Sequence, residues 1–94
     1  MPTYILLSSL TAQGVQTLKS NPARLREVNS DVEELGARVV HQWATLGPFD
    51  FVNVVEAPDI ATIARVSVAL GARGSAKLQT LTALTIDEFL SALD

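Results

Sequence analysis

Leu46-Gly47-Pro48-Phe49-Asp50-Phe51-Val52-Asn53-Val54-Val55-Glu56-Ala57-Pro58-Asp59 is the stretch that decides the fold. Gly47-Pro48 is a turn signal, and the run from Phe51 to Glu56 is short, apolar and rich in β-branched residues, as a buried strand requires. Pro58-Asp59 then opens a helix, because an aspartate at that point accepts the free N–H groups of the first turn. Hairpin exit, central strand and helix entrance follow one another with no spare residue.

Working outward, Ala37 to Thr45 reads as the strand that enters the hairpin, with Val39, His41 and Trp43 on one parity and Val40, Gln42 and Ala44 on the other. On the far side, Ile60, Ile63, Val66 and Leu70 form the apolar stripe of a helix running to about Arg73, with Gly74 just past its end. Ala76 to Leu84 is a further strand. Thr85-Ile86-Asp87-Glu88 is a capping box that starts a short terminal helix carrying Phe89, Leu90 and Leu93. Toward the N-terminus, Thr3 to Leu10 is apolar on both parities and suits a strand covered on both faces. Thr11 caps a short helical turn through Val15 and Leu18, which Asn21-Pro22 interrupts. Leu25, Val28, Val32 and Leu35 then recur at helical spacing up to Gly36.

The resulting order, β-α-β-β-α-β, predicts a single α+β domain over residues 1–94. Its plan is ferredoxin-like, a four-stranded antiparallel sheet with both main helices on one face. The strands are apolar on both faces, so the helix-free face needs a cover. A second copy's sheet supplies it, which predicts a homodimer, with higher oligomers left open.

Composition points the same way. The chain has 94 residues, 48% of them hydrophobic and 18% charged. That is one domain with more apolar surface than a lone monomer of this size hides readily. A net charge of −3, with its seven Lys and Arg scattered, gives no basic field for nucleic acid or an anionic membrane. There is no Cys and one His, so thiolate sites, disulfides and a multi-histidine metal centre are excluded within one chain, and no metal or cofactor is predicted. No apolar run approaches the roughly 20 residues of a membrane span, and the N-terminus lacks a secretory n-region. The reading is a cytoplasmic protein.

With Tyr4, the Thr11-x-x-Gly14 start, Leu46-Gly47-x-Phe49-Asp50, Glu56-Ala57-Pro58-Asp59 and Glu88-Phe89 in place, the chain resembles the GYD domain family nearly end to end. The resemblance implies the dimeric α/β-barrel superfamily, in which ferredoxin-like subunits pair through their sheets. The Gly-x-Tyr-Asp motif is matched by Gly47, Phe49 and Asp50. Phe49 stands where the motif has tyrosine, so no role that rests on that hydroxyl carries over. The superfamily implies no single activity: it spans cofactor-free monooxygenases, isomerases and haem enzymes.

Candidate chemistry rests on few residues. An odd-numbered hairpin loop would pair Trp43 with Asn53 and His41 with Val55, placing His41, Trp43, Phe51 and Asn53 on one face. Such a surface can bind a planar apolar ligand, with His41 as proton shuttle and Asn53 polarising a carbonyl; the plainer reading is a dimer seam anchored by Trp43. Tyr4 offers its phenol either to a ligand or to the sheet edge. Asp50 reads as a turn-fixing carboxylate before a catalytic one, Asp59 as a helix cap, and Glu56 as half of a solvated rim ion pair before a buried acid facing Arg65 or Arg24. Pro2 would be a tautomerase-like base only if Met1 were removed. The leading expectation is a homodimeric small-ligand-binding or interaction protein. The enzyme alternative is a cofactor-independent monooxygenase or isomerase for an aromatic or polyketide-like molecule, and haem chemistry at His41 is a third. An enclosed void of at least ~300 Å³ walled by His41 or Tyr4 would favour ligand chemistry, and a filled interior an interaction role.

Overall fold

Burial along the first strand alternates with the pleat: Tyr4, Leu6 and Ser8 are buried, while Ile5, Leu7 and Ser9 are half-exposed. The same alternation recurs in the central strand, where Phe51, Asn53 and Val55 are buried between half-exposed Val52, Val54 and Glu56. One face of the sheet therefore carries the core and the other does not. The computed structural model describes residues 1–94. Its elements are β1 (Thr3–Leu10), α1 (Ala12–Ser20), α2 (Arg24–Glu34), β2 (Arg38–Ala44), β3 (Phe51–Glu56), α3 (Ile60–Gly71), β4 (Ala76–Ala83) and α4 (Ile86–Ala92). The four strands form one sheet in the order β2-β3-β1-β4, every neighbour antiparallel, an α+β arrangement compatible with the ferredoxin-like plan.

Local chemistry sets the helix ends. Thr11 caps α1, its Oγ1 accepting the Gly14 N–H at 3.1 Å. The helix passes Val15 and Leu18 and runs to Ser20, ending where Asn21-Pro22 breaks it. Asp59 caps α3 by accepting the Thr62 N–H at 2.8 Å. Glycines at positive φ, Gly36 after α2 and Gly74 after α3, let the chain leave those helices. Tyr4, Leu6, Val32, Ala37, Val55, Ala57, Ile63 and Val66 make the core, with Leu35, Val39 and Leu70 packed against it.

The hairpin register departs from expectation. Ala44 pairs with Phe51, so the loop is the even-numbered stretch 45–50, and Trp43 lies opposite Val52 rather than Asn53. The loop closes where it does because Thr45 N–H donates to Asp50 O at 2.8 Å and Thr45 Oγ1 to Phe49 O at 2.6 Å. Asp50 is also fastened to β1, its N–H donating to Ser8 O at 2.8 Å, so β3 begins one residue later. A slip of one residue moves a strand's side chains to opposite faces. A bulge at Val40 shifts the register again between Val39 and His41.

Candidate functional site

The registers place two rows of side chains across the helix-free face. His41, Val54, Ile5 and Leu81 form one, and Trp43, Val52, Leu7 and Gln79 the other. The Trp43 and His41 rings stack at a centroid separation of 5.3 Å and an interplanar angle of 13°. Trp43 is 52% exposed. The border of the face is polar: Arg38 Nη2 and Glu56 Oε1 form an ion pair at 2.6 Å beside Thr3, and Lys77 lies at the other end. The hydrogen bond from Arg38 holds the Glu56 carboxyl below the usual carboxylate range. An apolar centre on β3 and β1, flanked by a tryptophan on the edge strand β2 and bordered by charges, is the anatomy of a protein interface.

Phe51 and Asn53 lie on the opposite, helix-covered face, so the structure does not bring them together with His41 and Trp43. There Asn53 belongs to a chain of amides. Gln42 Nε2 donates to Asn53 Oδ1 at 2.8 Å and to Asn29 Oδ1 at 3.1 Å, while Asn29 Nδ2 donates to Gln42 Oε1 at 3.0 Å. Asn53 Nδ2 donates to Leu6 O at 3.1 Å. The chain ties α2 through β2 and β3 to β1 and satisfies polar groups that burial would otherwise penalise. Sequence reasoning missed Gln42 and Asn29. Gln42 stands one residue from His41, and only the true register reveals that it, not Trp43, faces Asn53.

Between this face and α1 and α2 lies a cavity of about 120 Å³, walled by Leu6, Leu25, Val28, Phe51, Leu70 and Leu78 among others, with Asn53 and Gln42 in its lining. Neither His41 nor Tyr4 lines it. Tyr4 is buried at the other end of the sheet, against an open groove of about 350 Å³ between α3 and β4 that is also lined by Ile60, Ile63 and Thr82.

Asp50 Oδ2 accepts the Leu10 N–H at 2.7 Å, and Ser9 Oγ donates to Pro48 O at 3.1 Å, so the Gly47-to-Asp50 loop is stitched to the end of β1. Gly47 adopts φ +123°, a conformation only glycine takes freely. Asp59 and Glu88 are both held below the usual carboxylate range, Asp59 by hydrogen bonds from Thr62 and Glu88 by those from Thr85.

α4 leaves the body. Thr85 Oγ1 accepts the Glu88 N–H at 3.0 Å and Glu88 Oε1 the Thr85 N–H at 3.1 Å, a complete capping box. Yet Leu84, Ile86, Phe89, Leu90 and Leu93 all stand exposed. The molecule extends 51 Å along its long axis, and its accessible surface is 6178 Å². A compact monomer of this mass, 10.1 kDa, exposes only about 5300 Å². The difference, roughly 900 Å², is close to what one partner contributes to a standard interface.

Comparison with known proteins places the chain among relatives. The sequence profile of the GYD domain matches residues 4–93. A protein of Thermus thermophilus, named glutamine synthetase and cystathionine beta-lyase binding protein, is 52% identical over 94 residues, covering 99% of each chain. The crystal structure of TTHA0845, also from Thermus thermophilus, superposes with a TM-score of 0.56 at 22% identity, over 90% of this chain and 95% of that one, a likeness of fold.

Proposed function

The chain belongs to the GYD domain family, and from that premise we propose that it is a cytoplasmic, homodimeric interaction protein whose partners are a glutamine synthetase and a cystathionine beta-lyase. The observation that carries the dimer is the apolar sheet face built by Val52 and Val54 on β3 and Ile5 and Leu7 on β1, flanked on the edge strand β2 by exposed Trp43. Burying it against its own copy sets aromatic and β-branched side chains together in a dry centre and leaves Arg38, Glu56 and Lys77 in the rim. Support for the enzyme partners comes from the relative whose name gives glutamine synthetase and cystathionine beta-lyase as what it binds. The sheet-to-sheet contact leaves α3 and the Gly47-to-Asp50 loop available to such partners. The interaction reading draws support from His41 standing on the open face and from Tyr4 facing an open groove of about 350 Å³ rather than an enclosed void, while the helix-side cavity is near 120 Å³.

Sedimentation velocity at micromolar concentration tests the dimer. Wild type should sediment at twice the chain mass, and Trp43→Glu should raise the dissociation constant by about 30-fold or more, the effect of losing an aromatic anchor and placing a charge in the contact, at least about 2 kcal/mol. A wild-type monomer throughout that range overturns the dimer. Biolayer interferometry against purified glutamine synthetase and cystathionine beta-lyase from the same source tests the partners. Saturable binding supports them, and no binding to either enzyme removes them.

A further inference from the structure

The cavity under α1 and α2 has a chemical character that the interaction role leaves unused. Its wall is largely apolar, and the amides in it, Asn29, Gln42 and Asn53, already satisfy one another. The ionisable side chains lining it are two guanidiniums, Arg24 and Arg73, and no carboxylate is among them. Arg24 is occupied by Glu27, at 2.9 Å. Arg73 is only half satisfied: Nη2 forms an ion pair with Asp31 Oδ2 at 2.7 Å, while Nη1 is shut away from solvent and has no hydrogen-bond partner. A guanidinium cannot escape this by losing its proton, and a buried donor without an acceptor is costly to keep. Ser8, Thr17 and Ser75 also line the cavity, and none of them hydrogen-bonds Nη1.

We propose that this cavity is a binding site for a small aliphatic carboxylate, its acyl chain among Leu6, Leu25, Val28, Phe51 and Leu78 and its carboxylate accepting from Nη1 of Arg73. A carboxylate supplies the missing acceptor with a matching charge, and a charge-assisted bond to arginine is stronger than one to a neutral oxygen. Volume limits the chain. An apolar cavity of ~150 Å³ accepts benzene, so about 120 Å³ accepts an acyl chain of about four or five carbons, straight or branched. The site lies on the helix-covered side of the sheet, so its occupancy is read independently of dimerisation through the opposite face.

Methyl-resolved NMR titration of the full chain with isovalerate, and separately with the matched alcohol 3-methylbutan-1-ol, tests the proposal. Isovalerate should bind saturably and shift the methyl signals of Leu6, Val28 and Leu78. The alcohol should bind at least about tenfold more weakly, as should isovalerate to Arg73→Met. Arg73→Met also removes a partner of Asp31, so Val28→Phe provides a second route: it fills the void with Arg73 intact and should abolish binding. Equal affinity for acid and alcohol, binding unchanged in Val28→Phe, or no saturation with isovalerate at millimolar concentration, the last meaning that water alone serves Nη1, each overturns the proposal.

Discussion

Gln42 shows how much one side chain can decide. It sits on β2 between two aromatic residues that face the other way, and it is the only link joining Asn29 on α2 to Asn53 on β3. Replacing it by leucine keeps the strand and the volume but leaves Asn53 Oδ1 without a donor in a buried position. An unmet buried acceptor costs about 1–3 kcal/mol, more than the gain from a half-buried leucine, so Gln42→Leu should destabilise by about 1–2 kcal/mol. Urea unfolding should show a lower midpoint with an unchanged slope. Asn53 can be singled out from sequence as an amide inside an apolar strand. Its partner cannot, because identifying it requires the register, and the register hangs on how Thr45, Phe49 and Asp50 close the loop.

Among the elements, α1 depends most on a contact that no local rule predicts. Its Thr11 cap is readable from sequence, yet the same Oγ1 also donates to Gly74 O at 2.7 Å, and Thr11 N–H donates to Ser75 O at 3.0 Å. The turn after α3 is thus laced to the start of α1. Gly14 lies at this crossing, where a Cβ would stand 1.9 Å from the Ser75 carbonyl oxygen. Helix propensity alone favours alanine over glycine by about 1 kcal/mol. Overpacking against a backbone atom that cannot swing aside costs about 1–3 kcal/mol or more. Packing should win, and Gly14→Ala should lower the thermal midpoint; a rise would show that the turn yields and that propensity governs. The strands, α2 and α3 are legible because period-2 and period-3.6 patterns act within a few residues. The end of α1 is legible too, because Asn21-Pro22 stops it.

At the scale of the whole molecule, the surface is too large for the mass. A radius of gyration of 14.1 Å exceeds the roughly 12.4 Å of a compact chain this long. α4 is a seven-residue helix whose apolar side chains are exposed and whose length is too short for independent stability in water. In the proposed dimer, α4 is a candidate part of the contact. Deleting residues 85–94 should leave the unfolding free energy of a Trp43→Glu monomer nearly unchanged and raise the wild-type dimer dissociation constant at least about tenfold, measured by sedimentation equilibrium. An unchanged constant would place α4 outside the dimer contact.

The sequence by itself determined the element order, the helix caps at Thr11, Asp59 and Thr85, the turns at Gly36, Gly47 and Gly74, and an apolar excess on both faces of the sheet. These follow from short-range hydrogen bonding, backbone sterics and periodicity, which act between near neighbours. Only the tertiary structure decided that His41 and Trp43 face outward while Gln42, Asn53 and Phe51 face the helices, and that Arg73 is left with a guanidinium nitrogen unpaired beside a cavity. Those outcomes depend on one residue of strand register and on contacts between segments tens of residues apart, where no local pattern carries the information.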